Sequence, residues 1–299
     1  MKKRIITGFF LGVLLIPLIY LGGWFMYGLS LILSYVATFE LVKMHTEKNK
    51  LSNRFKYIVP LFSVLLVALS GLIFKYPNLF DLTDILFSII VVFALLLIAS
   101  LFNGQLKTSD VIMFFGFILY GGLGIFMAFS ARNINVLRGV EIDNLGLILF
   151  CYVILTTIFT DMGAYTFGLL FGKHKLCPTI SPKKTVEGAI GGTFTGALVG
   201  SLVLIIAERV MKFNLFGLDH EMLNIVTIAT ISLIITIVAQ FGDLVASKLK
   251  REYGIKDYGF IFPGHGGVMD RFDSLIMTGT FFFILLAMFG VVLWEVYVC

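Results

Sequence analysis

The chain has 299 residues, 59% of them hydrophobic and only 14% charged, with a formal net charge of +5 and a mean hydropathy of +0.99. That composition lies far outside the range of soluble globular domains and excludes a water-soluble fold. Apolar runs of about 20 residues, the length that crosses a hydrocarbon core, recur from end to end and leave no room for a separate soluble domain.

These runs are continuous rather than alternating, so the spanning elements are helices and not barrel strands. The expected fold is all-α, a single polytopic membrane bundle of about nine transmembrane helices. The N-terminal helices occupy 1–145, and 146–299 form the region where polar chemistry gathers. The opening Met1-Lys2-Lys3-Arg4 has the flavour of a signal peptide. No A-x-A site follows it and a second apolar run begins at once, so the first span is read as retained. The spans are placed at 5–21, 24–42, 57–74, 85–102, 111–129, 146–170, 188–207, 223–246 and 274–297. With the N-terminus in the cytoplasm, inner segments hold 18 of the 23 Lys and Arg residues, the bias of the positive-inside rule. Cys151, Cys177 and Cys299 lack any CxxC spacing and point to neither zinc nor a disulfide framework.

The outer loops are mixed in charge, whereas the inner segments 171–187 and 247–273 are dense with Lys, Asp, His, Ser and Gly. Asp161, in Thr160-Asp161-Met162-Gly163-Ala164-Tyr165, lies within the sixth apolar run. A carboxylate there is a metal ligand, a polar anchor for substrate, or the hydrogen-bonded partner of a neighbouring helix. In the loop after it, Ser181 is expected to cap the seventh helix with Pro182 as its first residue. Lys183 and Lys184 would then sit at its positive end, where phosphate binds well. Gly192, Gly196 and Gly200 recur every fourth residue and are read as a packing face. His45, His174 and His220 lack ligand spacing and are read as solvated loop residues.

At the end of the eighth span, Gln240, Asp243, Ser247, Lys250 and Arg251 fall within an arc of roughly 100° on a 3.6-residue helix. A carboxylate one turn inside the boundary, followed by hydroxyl and cationic groups, suits a site that holds a cation and a polyphosphate together. The alternative is a snorkelling basic end with Asp243 as ion-pair partner. Downstream, Gly259, Pro263, Gly264, Gly266 and Gly267 make an irregular loop whose backbone can approach a ligand closely. Asp270 and Asp273 then follow three residues apart and would face the same way. With Asp243 they would supply the few protein oxygens that Mg²⁺ takes while phosphate and water complete its shell.

The run from Ser247 to Asp273, SKLKREYGIKDYGFIFPGHGGVMDRFD, resembles the signature of the phosphatidate cytidylyltransferase (CDP-diacylglycerol synthase) family. Asp161 to Tyr165, Ser181 to Gly188 and Gln240 to Leu244 are similar to its upstream elements, while the first 145 residues match only in being apolar spans. The resemblance implies Mg²⁺-dependent conversion of CTP and phosphatidate to CDP-diacylglycerol and pyrophosphate at the cytoplasmic face, in a homodimer, and the short chain without a targeting extension favours a bacterial inner membrane. It implies Asp243 and Asp270 as metal ligands, with Asp161 and Asp273 as further ligands or supporting groups and a second cation as an open question. Lys183, Lys184, Lys250, Arg251, Lys256 and Arg271 would neutralise phosphates. Ser181, Ser247, Lys248, Asp257 and His265 would add contacts to substrate, and the loop Gly264, His265, Gly266, Gly267 would admit the nucleotide.

The expected partners are CTP, phosphatidate and membrane lipids, not nucleic acid. Two rival classes remain at this point. A CTP-dependent lipid kinase would release CDP instead of pyrophosphate. A cation-coupled transporter would place charges at mid-membrane in several spans, whereas here they collect at one face.

Overall fold

The computed structural model describes residues 2–75, 82–133, 144–264 and 266–297. Helices α1 (Lys2–Leu21), α2 (Gly23–Lys48), α3 (Phe55–Lys75) and α4 (Leu82–Leu101) come first. Next, α5 (Thr108–Phe117) widens into a π-helical stretch (Ile118–Leu123) and continues as α6 (Gly124–Ser130) and a 3-10 turn (Ala131–Asn133). Then come α7 (Leu145–Phe171), strands β1 (Lys175–Cys177) and β2 (Ser181–Thr185), α8 (Val186–Met211), α9 (Glu221–Glu252) and α10 (Met269–Tyr297). Among the described residues, seven helical segments are long and apolar enough to cross a membrane: α2, α3, α4, α5 with α6, α7, α8 and α9. The chain is a multi-pass membrane protein. Every expected span falls on a helix, and the helices run a few residues past the apolar runs because polar end residues continue the hydrogen-bond ladder.

The chain divides into two compact units, Met1–Asp143 with Glu252–Phe272, and Asn144–Arg251 with Asp273–Cys299. In the first, α2 is central. Its Ser34 hydroxyl donates to the carbonyl of Gly122 at 3.0 Å, inside the π-helical stretch, where the widened turn frees carbonyls from the regular ladder. The Ser63 hydroxyl of α3 donates back to the Ser34 carbonyl at 3.3 Å. In hydrocarbon such side-chain to backbone bonds fix the register of helices that hydrophobic burial alone would leave free to slide.

In the second unit α7 and α8 pack along a seam of small residues. Gly192, Gly196 and Gly200 are buried there. A Cβ at Gly192 would lie 2.7 Å from the Thr160 carbonyl, and one at Gly200 would strike the Thr156 hydroxyl. The seam is the packing face expected from the spacing. Tyr152 on α7, fully buried, reaches the Ser232 hydroxyl of α9 at 2.8 Å. The Thr157 hydroxyl meets that of Thr278 on α10 at 3.3 Å.

A Cβ at Gly196 would meet the Thr160 hydroxyl, with Thr236 Cγ2 at 2.7 Å and the Thr156 carbonyl at 3.1 Å. We expect Gly196→Val to cost about 1–3 kcal/mol through overpacking, seen as a lower Tm in detergent, while a valine at the exposed Ile190 leaves Tm within a degree or two of the parent.

Candidate functional site

Between α7 and α8 the chain does not pass straight into a helix. Residues Ser181–Thr185 form β2, paired antiparallel with β1, with Lys175 opposite Thr185 and Cys177 opposite Ser181. This corrects the expected cap. Ser181 and Pro182 lie in the strand, and Thr185 is the N-cap, its hydroxyl accepting from the Gly188 amide at 3.1 Å. Pro182 holds a φ that suits an extended strand as well as a first helical turn, so local chemistry did not decide between them. The pairing with β1 did. Lys183 and Lys184 therefore project from a hairpin rather than from a helix start.

Lys184 reaches across to α9, with its ammonium 2.5 Å from Asp243 Oδ2, both side chains being about 30% exposed. The Ser247 hydroxyl donates to the other oxygen, Asp243 Oδ1, at 3.3 Å. One turn on, Lys250 lies 4.0 Å from Asp273 Oδ2 on α10, while Asp273 Oδ1 accepts from the Ser274 amide at 2.8 Å. Arg251, exposed, extends to the Ile180 carbonyl in the hairpin at 3.4 Å. Gln240 is spent on structure, donating to the Thr193 hydroxyl at 2.8 Å and the Ala189 carbonyl at 3.1 Å on α8. Gly242 lets α10 close in on this face, since a Cβ there would lie 3.2 Å from the Asp273 carbonyl.

Asp161, Asp243 and Asp273 are close enough to feel one another's charge, and Lys184 and Lys250 offset them. Asp161 is exposed on α7 beside Met162 and Tyr165, two large apolar side chains that are also exposed. The second unit thus gathers three carboxylates, two ammonium groups, a hydroxyl and an arginine, drawn from four elements. Such a set fits polyphosphate together with a hard divalent cation, which takes one or two carboxylates and completes its shell with phosphate and water. Among the described residues, no three His, Cys, Asp or Glu side chains form a group able to hold a metal ion by themselves.

The glycine-rich segment belongs to the first unit. Its turn closes through the Phe262 amide and the Gly266 carbonyl at 2.9 Å, and Gly264 and Gly266 have φ of +79° and +86°, where other residues are strained. His265 lies outside the described residues. Asp270, in the first turn of α10, points back into this segment, and its Oδ2 accepts from the Tyr258 amide at 2.8 Å and the Gly267 amide at 2.9 Å. Lys256, Asp257 and Arg271 are exposed, as are Lys183 and Lys248.

Two groups escaped the sequence reading. Glu40 on α2 is only 2% exposed and accepts from the amides of Val268 and Met269. It sits inside an apolar run, and the rule that flagged Asp161 applies to it equally. His45 is not a solvated loop residue but a buried one, with Nε2 2.8 Å from Asp110 Oδ1 and Nδ1 2.7 Å from the Tyr253 hydroxyl. Burial, with Glu252 and Asp110 nearby, pushes the Tyr253 phenol up to about 12. His174 is exposed and pairs with Glu187 at 2.6 Å, and His220 is exposed.

A sequence profile of the cytidylyltransferase family matches residues 2–289. The chain belongs to that family. The phosphatidate cytidylyltransferase of Bacillus subtilis is 33% identical over 97% of this chain and 99% of its own length. Those of Staphylococcus haemolyticus and Staphylococcus saprophyticus subsp. saprophyticus are 33% and 32% identical, each over 92% of this chain and 95% of its own. Membership extends over the N-terminal spans as well, where the motif resemblance had offered only apolar character. In this cytidylyltransferase the capping of α8 is open to a direct test. Thr185→Ala should lower stability by about 0.5–2 kcal/mol, and Thr185→Ser, which keeps the acceptor, should restore most of the Tm.

Proposed function

We propose that this cytidylyltransferase makes CDP-diacylglycerol from CTP and phosphatidate, releasing pyrophosphate. The observation that carries the reading is the near full-length similarity to relatives that bear the name phosphatidate cytidylyltransferase. The chemistry of the second unit supports it. One substrate is a soluble polyanion and the other a lipid phosphate, so the site needs cationic groups and access from both water and bilayer. Lys184, Lys250 and Arg251 supply the first requirement, and exposed Asp161 among lipid-facing side chains is suited to the second.

The reaction forms one bond and breaks one. A phosphatidate phosphate oxygen attacks the α-phosphorus of CTP, the bond between the α-phosphorus and its bridging oxygen breaks, and pyrophosphate leaves with the electron pair. A phosphate monoester is already ionised near neutral pH, so no strong general base is required. Bound Mg²⁺ would polarise the phosphoryl oxygens and neutralise developing charge, with Asp243 as a protein ligand in the second unit and Asp161 and Asp273 as supporting carboxylates there, while a ligand role for Asp270 is proposed on the family resemblance alone. Lys184 neutralises Asp243 before substrate arrives and is placed to turn to phosphate when Asp243 takes another cation. Lys183, Lys250, Arg251, Lys256 and Arg271 offset phosphate charge, while Ser181, Ser247, Lys248, Asp257 and the 264–267 loop contribute contacts to substrate.

The positive-inside bias supports placing these groups at the cytoplasmic face of a bacterial inner membrane. A homodimer is proposed on the family resemblance alone.

The test is incubation of detergent-purified protein with phosphatidate, Mg²⁺ and CTP labelled in either the α or the γ phosphate. We expect α label in the lipid phase and γ label in pyrophosphate. Transfer of γ label to a lipid acceptor would replace this reading with a kinase, and no transfer of either label would remove it. For the assigned roles, Asp243→Asn should lower turnover by at least about 100-fold in folded protein. Glu221→Gln, which loosens an exposed pair with Arg209, should leave it unchanged.

A further inference from the structure

The Glu40 carboxylate is 2% exposed in the middle of the first unit. Its two oxygens do separate work, Oε1 accepting from the Val268 amide at 3.0 Å and Oε2 from the Met269 amide at 2.9 Å. These are the donors at the start of α10, where a helix has no carbonyl of its own to offer and a negative charge is favoured by the helix dipole. A neighbouring residue usually meets this need. Here the acceptor comes from α2, more than two hundred positions away in sequence.

Two glycines let the contact form. A Cβ at Gly259 or at Gly267 would collide with the Glu40 carboxylate, so the loop wraps it on both sides. The same short stretch holds Asp270, whose Oδ2 takes the amides of Tyr258 and Gly267. Gly267 is shared, its backbone lying against Glu40 and its amide bonded to Asp270. A shift of the Glu40 carboxylate therefore moves the turn from which Asp270 projects, and a displacement of about 1 Å at a reacting group costs on the order of 100-fold in rate.

We infer that Glu40 is a positioning residue of the transfer reaction, an acceptor supplied by α2 that fixes the first turn of α10 and through it the Asp270 carboxylate. The inference rests on the proposed role of Asp270. Both oxygens of Glu40 are engaged by the main chain, so its loss acts on turnover more than on nucleotide affinity.

The experiment measures kcat and KM for CTP, with saturating phosphatidate and Mg²⁺, in Glu40→Gln and Gly259→Ala, alongside Asp270→Asn. The folded fraction is measured by size-exclusion profile and Tm. Glutamine keeps one carbonyl oxygen but presents an amide donor to the other backbone N–H. Alanine at 259 leaves Glu40 in place and pushes the loop off it. The expected result is a fall in kcat of about 10- to 100-fold per folded molecule in both variants, with KM for CTP changed less than about threefold. Normal kcat in folded Glu40→Gln, or a loss that tracks only the folded fraction, overturns the positioning role. If Asp270→Asn turns over normally, the role of Asp270 falls and this inference with it. If Asp270→Asn is inactive while both other variants turn over normally, only the inference about Glu40 falls.

Discussion

Within hydrocarbon a polar group has no water to fall back on, and each one must find its partner inside the protein. This constraint sorts the polar residues of the chain. Serines and threonines of the helices donate to carbonyls or to one another, as in Ser34 to Gly122 and Tyr152 to Ser232, and these bonds fix register. Charged residues are rarer, and where they occur they are matched: Lys184 with Asp243, Lys250 near Asp273, His45 with Asp110. Glu40, like Asp270, is matched with main-chain amides instead of a cation.

The same constraint bears on the ionisable groups gathered where α9 ends and α10 begins. A carboxylate such as Asp243 needs a compensating cation in every state of the cycle. Lys184 provides it from a short hairpin. The ammonium is thus a built-in counter-ion, and the cost of leaving a carboxylate bare near lipid is avoided. Ser247, one turn along α9, orients the oxygen that Lys184 does not hold.

Much of this was legible from the residues. Span positions were readable because hydropathy over about 20 residues reflects a requirement that each helix meets by itself. The glycine seam of α8 was readable because a four-residue repeat has a single geometric meaning on a helix. What the sequence did not disclose were contacts made across long separations. Ser181-Pro182 satisfies the local rules for a helix start and for a strand alike, and only pairing with Lys175 to Cys177 distinguishes them. His45 was taken for a loop residue because its partners, Asp110 and Tyr253, lie 65 and 208 positions away. Glu40 was readable in principle as an intramembrane carboxylate, but its meaning depends on amides 228 and 229 positions downstream.

That separation has a bearing on how the molecule is made. Helix α2 leaves the ribosome before α10 does, and its carboxylate enters the membrane long before Val268 and Met269 exist. Through most of synthesis Glu40 must remain protonated, shielded or near the boundary. The arrival of the α10 start is the event that lets it settle. A nascent chain stopped before residue 268 would carry Glu40 without the two main-chain donors that satisfy it in the finished protein.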